Sequence, residues 1–92
     1  MYFVYILYSL KDGKLYIGST SDLKSRIKKH NQGYVLATKN RRPLQLIHYE
    51  AYLTLNDAKR REVFLKGGKG HGELRIQLEH CFQKIKYKYN HA

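Results

Sequence analysis

The stretch "MYFVYILYSLKDGKLYIGST", residues 1–20, limits the choice of fold more than any other part of the chain. Residues 2–8 are rich in Tyr, Phe, Val and Ile, side chains that suit a pleated, half-buried strand. Asp12-Gly13 then gives a strong hairpin signal, and residues 14–19 return as a second strand. A two-residue turn centred on that dipeptide pairs Ser9 with Tyr16 and Leu7 with Gly18. Because side chains alternate along a strand, Tyr5, Leu7, Tyr16 and Gly18 are expected on one face. The apolar opening is short, lacks a basic leader and runs straight into the turn. It reads as a strand, not as a signal peptide or a membrane span.

The rest of the chain alternates helix and strand signals. "STSD" offers several N-cap residues for a helix over about 22–32, closing near Gly33. Residues 34–42 form a basic connector ended by Pro43, and residues 43–52 read as a third strand. Thr54 and Asp57 resemble a capping box for a helix reaching about Lys66. "GGKGHGE" is expected to break that helix, with residues 73–85 helical again. The tail from residue 84 is a basic segment, either a frayed helix end or a loose arm. With 92 residues and no internal repeat or linker, one domain is expected over 1–92, with its core at about 2–80. The expected fold class is α/β: a small sandwich with a three-stranded, mainly antiparallel sheet flanked by helices, in the order β-β-α-β-α-α.

Charge narrows the function. Eighteen Lys and Arg against seven Asp and Glu leave +11, which calls for a polyanionic partner, most simply nucleic acid. An anionic membrane surface would require a helix with a broad apolar face, which the sequence does not show. Lys39, Arg41, Arg42, Lys59, Arg60 and Arg61 are candidate phosphate contacts, although such charge runs also serve as plain solvated faces. The single Cys81 has no partner for a disulfide and fits a cytoplasmic location. His48, His71, His80 and His91 lack zinc-ligand spacing, and "GGKGHG" lacks the Walker spacing.

Two helices carry residues that do not suit an inert core. Arg26 and His30, one turn apart, fall on or beside the stripe of Leu23 and Ile27, while Lys24, Lys28 and Lys29 occupy the opposite arc. A guanidinium turned inward needs a partner. Either Arg26 snorkels to a structural carboxylate beside a half-buried histidine, or the pair lines a site. Glu62 falls within the apolar stripe of Leu55, Ala58 and Leu65. It is either an ion-pair partner of Arg26 or a lysine, or a metal ligand or acid/base group.

Together these residues resemble the GIY-YIG nucleases. "YIG" stands intact as Tyr16-Ile17-Gly18, and Phe3-Val4-Tyr5 corresponds to the first motif, keeping only its tyrosine. Arg26 and His30 in "SDLKSRIKKHN" and Glu62 in "AKRREVFLKGGKG" stand where the family carries an Arg, a His and a metal-binding Glu. The resemblance covers about residues 2–80. It implies a metal-dependent endonuclease that hydrolyses DNA phosphodiesters, in repair or recombination, with Tyr5, Tyr16, Arg26, His30 and Glu62 as catalytic residues. Glu62 would hold one Mg²⁺ or Mn²⁺, Arg26 would bind phosphate oxygens, and Tyr16, alone or with Tyr5, would prepare the attacking water. Gly18 would let the nucleic acid approach the backbone. DNA is the implied partner, with no membrane role, room for a protein that adds specificity, and a monomer or weak dimer as the working state. The competing expectation is a basic nucleic-acid-binding module or accessory subunit that keeps the fold without catalysis.

Overall fold

The computed structural model describes residues 1–88. Three strands, β1 (Tyr2–Ser9), β2 (Leu15–Thr20) and β3 (Leu44–Tyr52), form an antiparallel sheet in the order β2-β1-β3. β1 is central, and Val4, Tyr5, Ile6 and Leu7 are buried in succession, which requires cover on both faces of the sheet. The α1 helix (Leu23–Gln32) covers one face, where Tyr5, Leu7 and Leu44 meet Tyr16, Leu23, Ile27 and Leu46. On the other face Val4, Ile6 and Ile17 pack with residues of three helices, α2 (Leu55–Lys66), α3 (Gly68–Gln77) and α4 (Glu79–Ile85). This is the α/β arrangement the sequence implies, with the last helical segment divided in two.

The hairpin differs in register from the expected one. Leu7 pairs with Tyr16 and Tyr5 with Gly18, two residues away from the pairing of Leu7 with Gly18. The turn takes four residues instead of two: Ser9 N–H donates to the Lys14 carbonyl, and Gly13 N–H donates back to Ser9. Within the turn only Gly13 adopts positive φ, at 72°, so Asp12 does not form the type I′ turn. A slip of two preserves the side-chain face, and Tyr5, Leu7, Tyr16 and Gly18 therefore remain together.

The caps of α1 and α2 follow their signals. Asp22 accepts from Ser25 N–H, Gly33 closes α1 at φ 85°, and Thr54 accepts from Asp57 N–H. The glycine-rich stretch ends α2 as expected, but the break is shorter than its run of glycines. Only Gly67 lies between α2 and α3, and Gly68 to Gln77 is helical. Low helix propensity yields here to close packing. A Cβ built on Gly70 would overlap the Phe64 carbonyl and lie 2.5 Å from Leu65 Cα, so the two helices can approach this closely only without a side chain there. Gly70→Ala is expected to improve local helix propensity and still destabilise the protein by roughly 1–3 kcal/mol through overpacking. Urea denaturation measures it, and an unchanged midpoint would refute the packing account. Of the basic tail, Lys86 closes α4 and Tyr87 packs on Phe82; residues 89–92, including His91, lie outside the described residues.

Candidate active site

Four of the five expected catalytic residues meet on the α1 face. Tyr5 projects from the central strand over Gly18, and a Cβ at Gly18 would sit 2.6 Å from Tyr5 Oη and 2.7 Å from Cζ. The glycine therefore clears the space that the phenol occupies. Arg26 Nε donates to Tyr5 Oη at 3.3 Å, and Tyr5 Oη lies 2.8 Å from His30 Nε2. Tyr16, opposite Leu7 on the edge strand, sets its ring edge-on to His30 with centroids 5.0 Å apart. His30 and Tyr5 are fully buried, whereas Arg26 and Tyr16 are half-buried and reach the surface.

These positions fix the electrostatics. Burial raises the Tyr5 phenol above its ordinary pKa, and the hydrogen bond from Arg26 only partly opposes this. That hydrogen bond, with the nearby phenols, raises the guanidinium further and keeps Arg26 charged. Burial, reinforced by the Arg26 charge, lowers His30 to about 4, so the imidazole is neutral at physiological pH. An NMR titration of the folded protein should find His30 still neutral at pH 5; a midpoint at the ordinary 6.5 would refute this. The native state refuses a proton that the unfolded chain accepts between about pH 6.5 and 4. Stability is therefore held above that window and lost as pH falls through it.

Glu62 approaches from the other face. Its carboxylate accepts from Ser19 Oγ at 2.6 Å and from Lys66 Nζ at 2.8 Å, with Lys59 Nζ at 3.6 Å. Burial alone would raise its pKa, but Lys66, Ser19 and Lys59 outweigh that and hold it below the usual range, as an anion. The ion pair with Arg26 considered from the sequence does not form; lysines take that place. Gly18 and Ser19 are consecutive on β2, so Glu62 and the Tyr5–Arg26–His30 cluster reach one short segment of an edge strand from opposite sides. Among the described residues, no group of three or more His, Cys, Asp and Glu is placed to hold a metal. One carboxylate does fit Mg²⁺ or Mn²⁺, which keep several waters and take remaining ligands from substrate phosphates.

The cations chosen as phosphate contacts separate into two groups. Lys39, Arg42, Lys59 and Arg60 are exposed. Arg41 is spent on Asp12, at 2.6 Å, and on the Leu15 carbonyl. Arg61 binds Glu50 and Glu73, each at 2.8 Å, and lies over the Phe64 ring. Burial opposes ionisation of Glu50, but hydrogen bonds from Arg61, Tyr52 and His48 bring it down to about 2. Two features of the site have no counterpart in the sequence reading. Thr38, fully buried in the connector, lies 2.7 Å from His30 Nδ1, and Ser19 bonds Glu62. No periodic pattern marks Thr38; Ser19 could have been found from its place beside Gly18 on the opposite face.

Comparison with known proteins places the chain in a family. The family model described as the GIY-YIG catalytic domain matches residues 1–75. A UPF0213 protein of Staphylococcus aureus strain Mu3 is 40% identical over 79 residues, covering 85% of this chain and 95% of that protein. A UPF0213 protein of strain Mu50 matches to the same extent. The solution NMR structure of a UPF0213 protein from Bacillus halodurans is 34% identical, covers 84% of this chain and 85% of that one, and superposes with a TM-score of 0.52. No described helix is long and apolar enough to cross a membrane.

Proposed function

Since the chain belongs to the GIY-YIG nuclease superfamily, we propose that it is a divalent-metal-dependent DNA endonuclease with its active site at the edge strand β2. The observation that carries this reading is the convergence on Gly18-Ser19 of a Tyr5–Arg26–His30 cluster from one side and an ionised Glu62 from the other. Glu62 would hold one Mg²⁺ or Mn²⁺ after Lys66 gives way, and the ion, when bound, neutralises charge on the scissile phosphate and leaving oxygen. Arg26 offers its remaining guanidinium N–H groups to a non-bridging oxygen, strongest where charge develops in the transition state. Tyr16, the half-buried tyrosine, would position the attacking water and, once ionised beside Arg26 and the metal, take its proton as phenolate. Tyr5 is buried, and burial disfavours its phenolate, so it orients Arg26 instead of taking the proton. His30 holds Tyr5.

Exposed Lys39, Arg42, Lys59 and Arg60 would follow the backbone of DNA, while Arg41 and Arg61 brace the protein. The whole chain would act as one nuclease domain, as a monomer or weak dimer, in cytoplasmic DNA repair or recombination, with selectivity shared with a protein partner. The test is incubation with branched, nicked and plain duplex DNA in Mg²⁺ or Mn²⁺, with and without chelator. Cutting that chelation stops is expected. Binding of all three substrates with no cutting would overturn the enzyme reading and leave a binding module.

A further inference from the structure

The Tyr5–His30 contact ends in a third buried group, and its chemistry is more constrained than distance alone implies. Neutral imidazole carries one N–H, so one ring nitrogen donates and the other accepts. Tyr5 Oη already accepts from Arg26 Nε, and among the described residues His30 Nε2 is the acceptor within reach of its own proton. With Nε2 accepting, the imidazole proton must be on Nδ1, directed at Thr38 Oγ1 at 2.7 Å. Among the described residues, either tautomer leaves one buried hydroxyl proton without an acceptor. Nδ1–H leaves that of Thr38, whereas Nε2–H sends two donors to Tyr5 Oη and leaves that of the phenol, which is the stronger donor and so the costlier to strand. No buried side-chain nitrogen or oxygen in the described structure lacks a partner.

We propose that Thr38 is the positioning residue of this site: it accepts the Nδ1 proton of His30 and so fixes the tautomer whose Nε2 takes the Tyr5 proton. The Tyr5 oxygen then keeps its lone pairs toward Arg26 and holds the guanidinium aimed at substrate. The fold secures Thr38 accordingly. It opens a single 3-10 turn (Lys39–Arg41). Arg41 N–H donates to the Thr38 carbonyl at 2.9 Å, while the Arg41 carbonyl accepts from Ser9 Oγ at 2.6 Å. The Arg41 guanidinium is clasped by Asp12 of the hairpin turn. The turn between β1 and β2 thus anchors a connector whose buried hydroxyl orients the site.

The effect on turnover rests on the nuclease reading; the tautomer does not. ¹⁵N–¹H correlation spectra of the imidazoles in the free full chain should show His30 as the Nδ1–H tautomer in wild type and in Thr38→Ser. Thr38→Val should move it to Nε2–H and reduce kcat about 10- to 100-fold with KM little changed, the range for losing a group that orients a functional imidazole. Thr38→Ser should retain activity. An Nε2–H tautomer in wild type overturns the inference by itself, so the test does not depend on the valine variant folding. Wild-type tautomer or wild-type kcat in Thr38→Val also overturns it. An Nδ1–H wild type that cuts no DNA, with the tautomer changed in Thr38→Val, overturns the nuclease reading and leaves the assignment of Thr38 standing.

Discussion

Glu62→Gln should cut DNA roughly a thousandfold more slowly than wild type while folding normally, since ion-borne charge stabilisation of this kind supplies several kcal/mol. Glutamine keeps the shape and can still accept from Ser19, but it lacks the charge that attracts a divalent cation. The ion pairs given up are the i,i+4 contact with Lys66 and the i,i+3 contact with Lys59, whose side chains are 54% and 59% exposed, and such pairs contribute only about 0.3–0.5 kcal/mol each. Stability and activity should therefore separate. Mn²⁺ binding followed by electron paramagnetic resonance, beside single-turnover cleavage and thermal melting, reads all three quantities. Activity near wild type would remove Glu62 from the site, and a large drop in melting temperature would make it structural.

Arg26→Ala is expected to reduce kcat by about 10²–10³, the usual consequence of deleting a donor aimed at developing charge. Arg26→Lys should recover little of this. An ammonium cannot reproduce the planar fork that both donates to Tyr5 and leaves N–H groups for phosphate oxygens. The hydrogen bond lost in the alanine variant comes from a charged donor and is worth about 1.5–3 kcal/mol net, less than the stability of a typical domain, so the protein remains folded. Single-turnover kinetics on saturating DNA isolate the chemical step from binding. A variant that weakens binding and leaves the saturated rate intact would reduce Arg26 to an ordinary phosphate contact.

The sequence held much of this site because several of its signals rest on strict periodicities. The hairpin register was two residues off, yet Tyr5, Tyr16 and Gly18 kept one face because the strand period is two. The helical period likewise placed His30 inward and Lys24, Lys28 and Lys29 outward. Signals failed where tertiary contacts decided the outcome. Gly70 is helical because α2 and α3 cross too closely for a side chain, which no propensity scale expresses. Arg60 and Arg61 are adjacent in sequence, but one helical step turns Arg61 toward Glu50 and leaves Arg60 exposed. Thr38 lies in an aperiodic basic connector, where nothing local marks its hydroxyl as the partner of a histidine eight residues earlier. The alternation His48, Glu50, Tyr52 was a readable sign of a polar cluster on one face of β3.

The central claim is that both sides of β2 act on one phosphate. A structure of the wild-type protein with Mn²⁺ and a DNA duplex carrying a non-hydrolysable linkage tests it most directly, because anomalous scattering locates the ion. The account predicts Mn²⁺ on the Glu62 carboxylate with Lys66 displaced, the modified phosphate between that ion and Arg26, and the Tyr16 hydroxyl nearest the attacking position. A phosphate held elsewhere, or an ion that avoids Glu62, would contradict it.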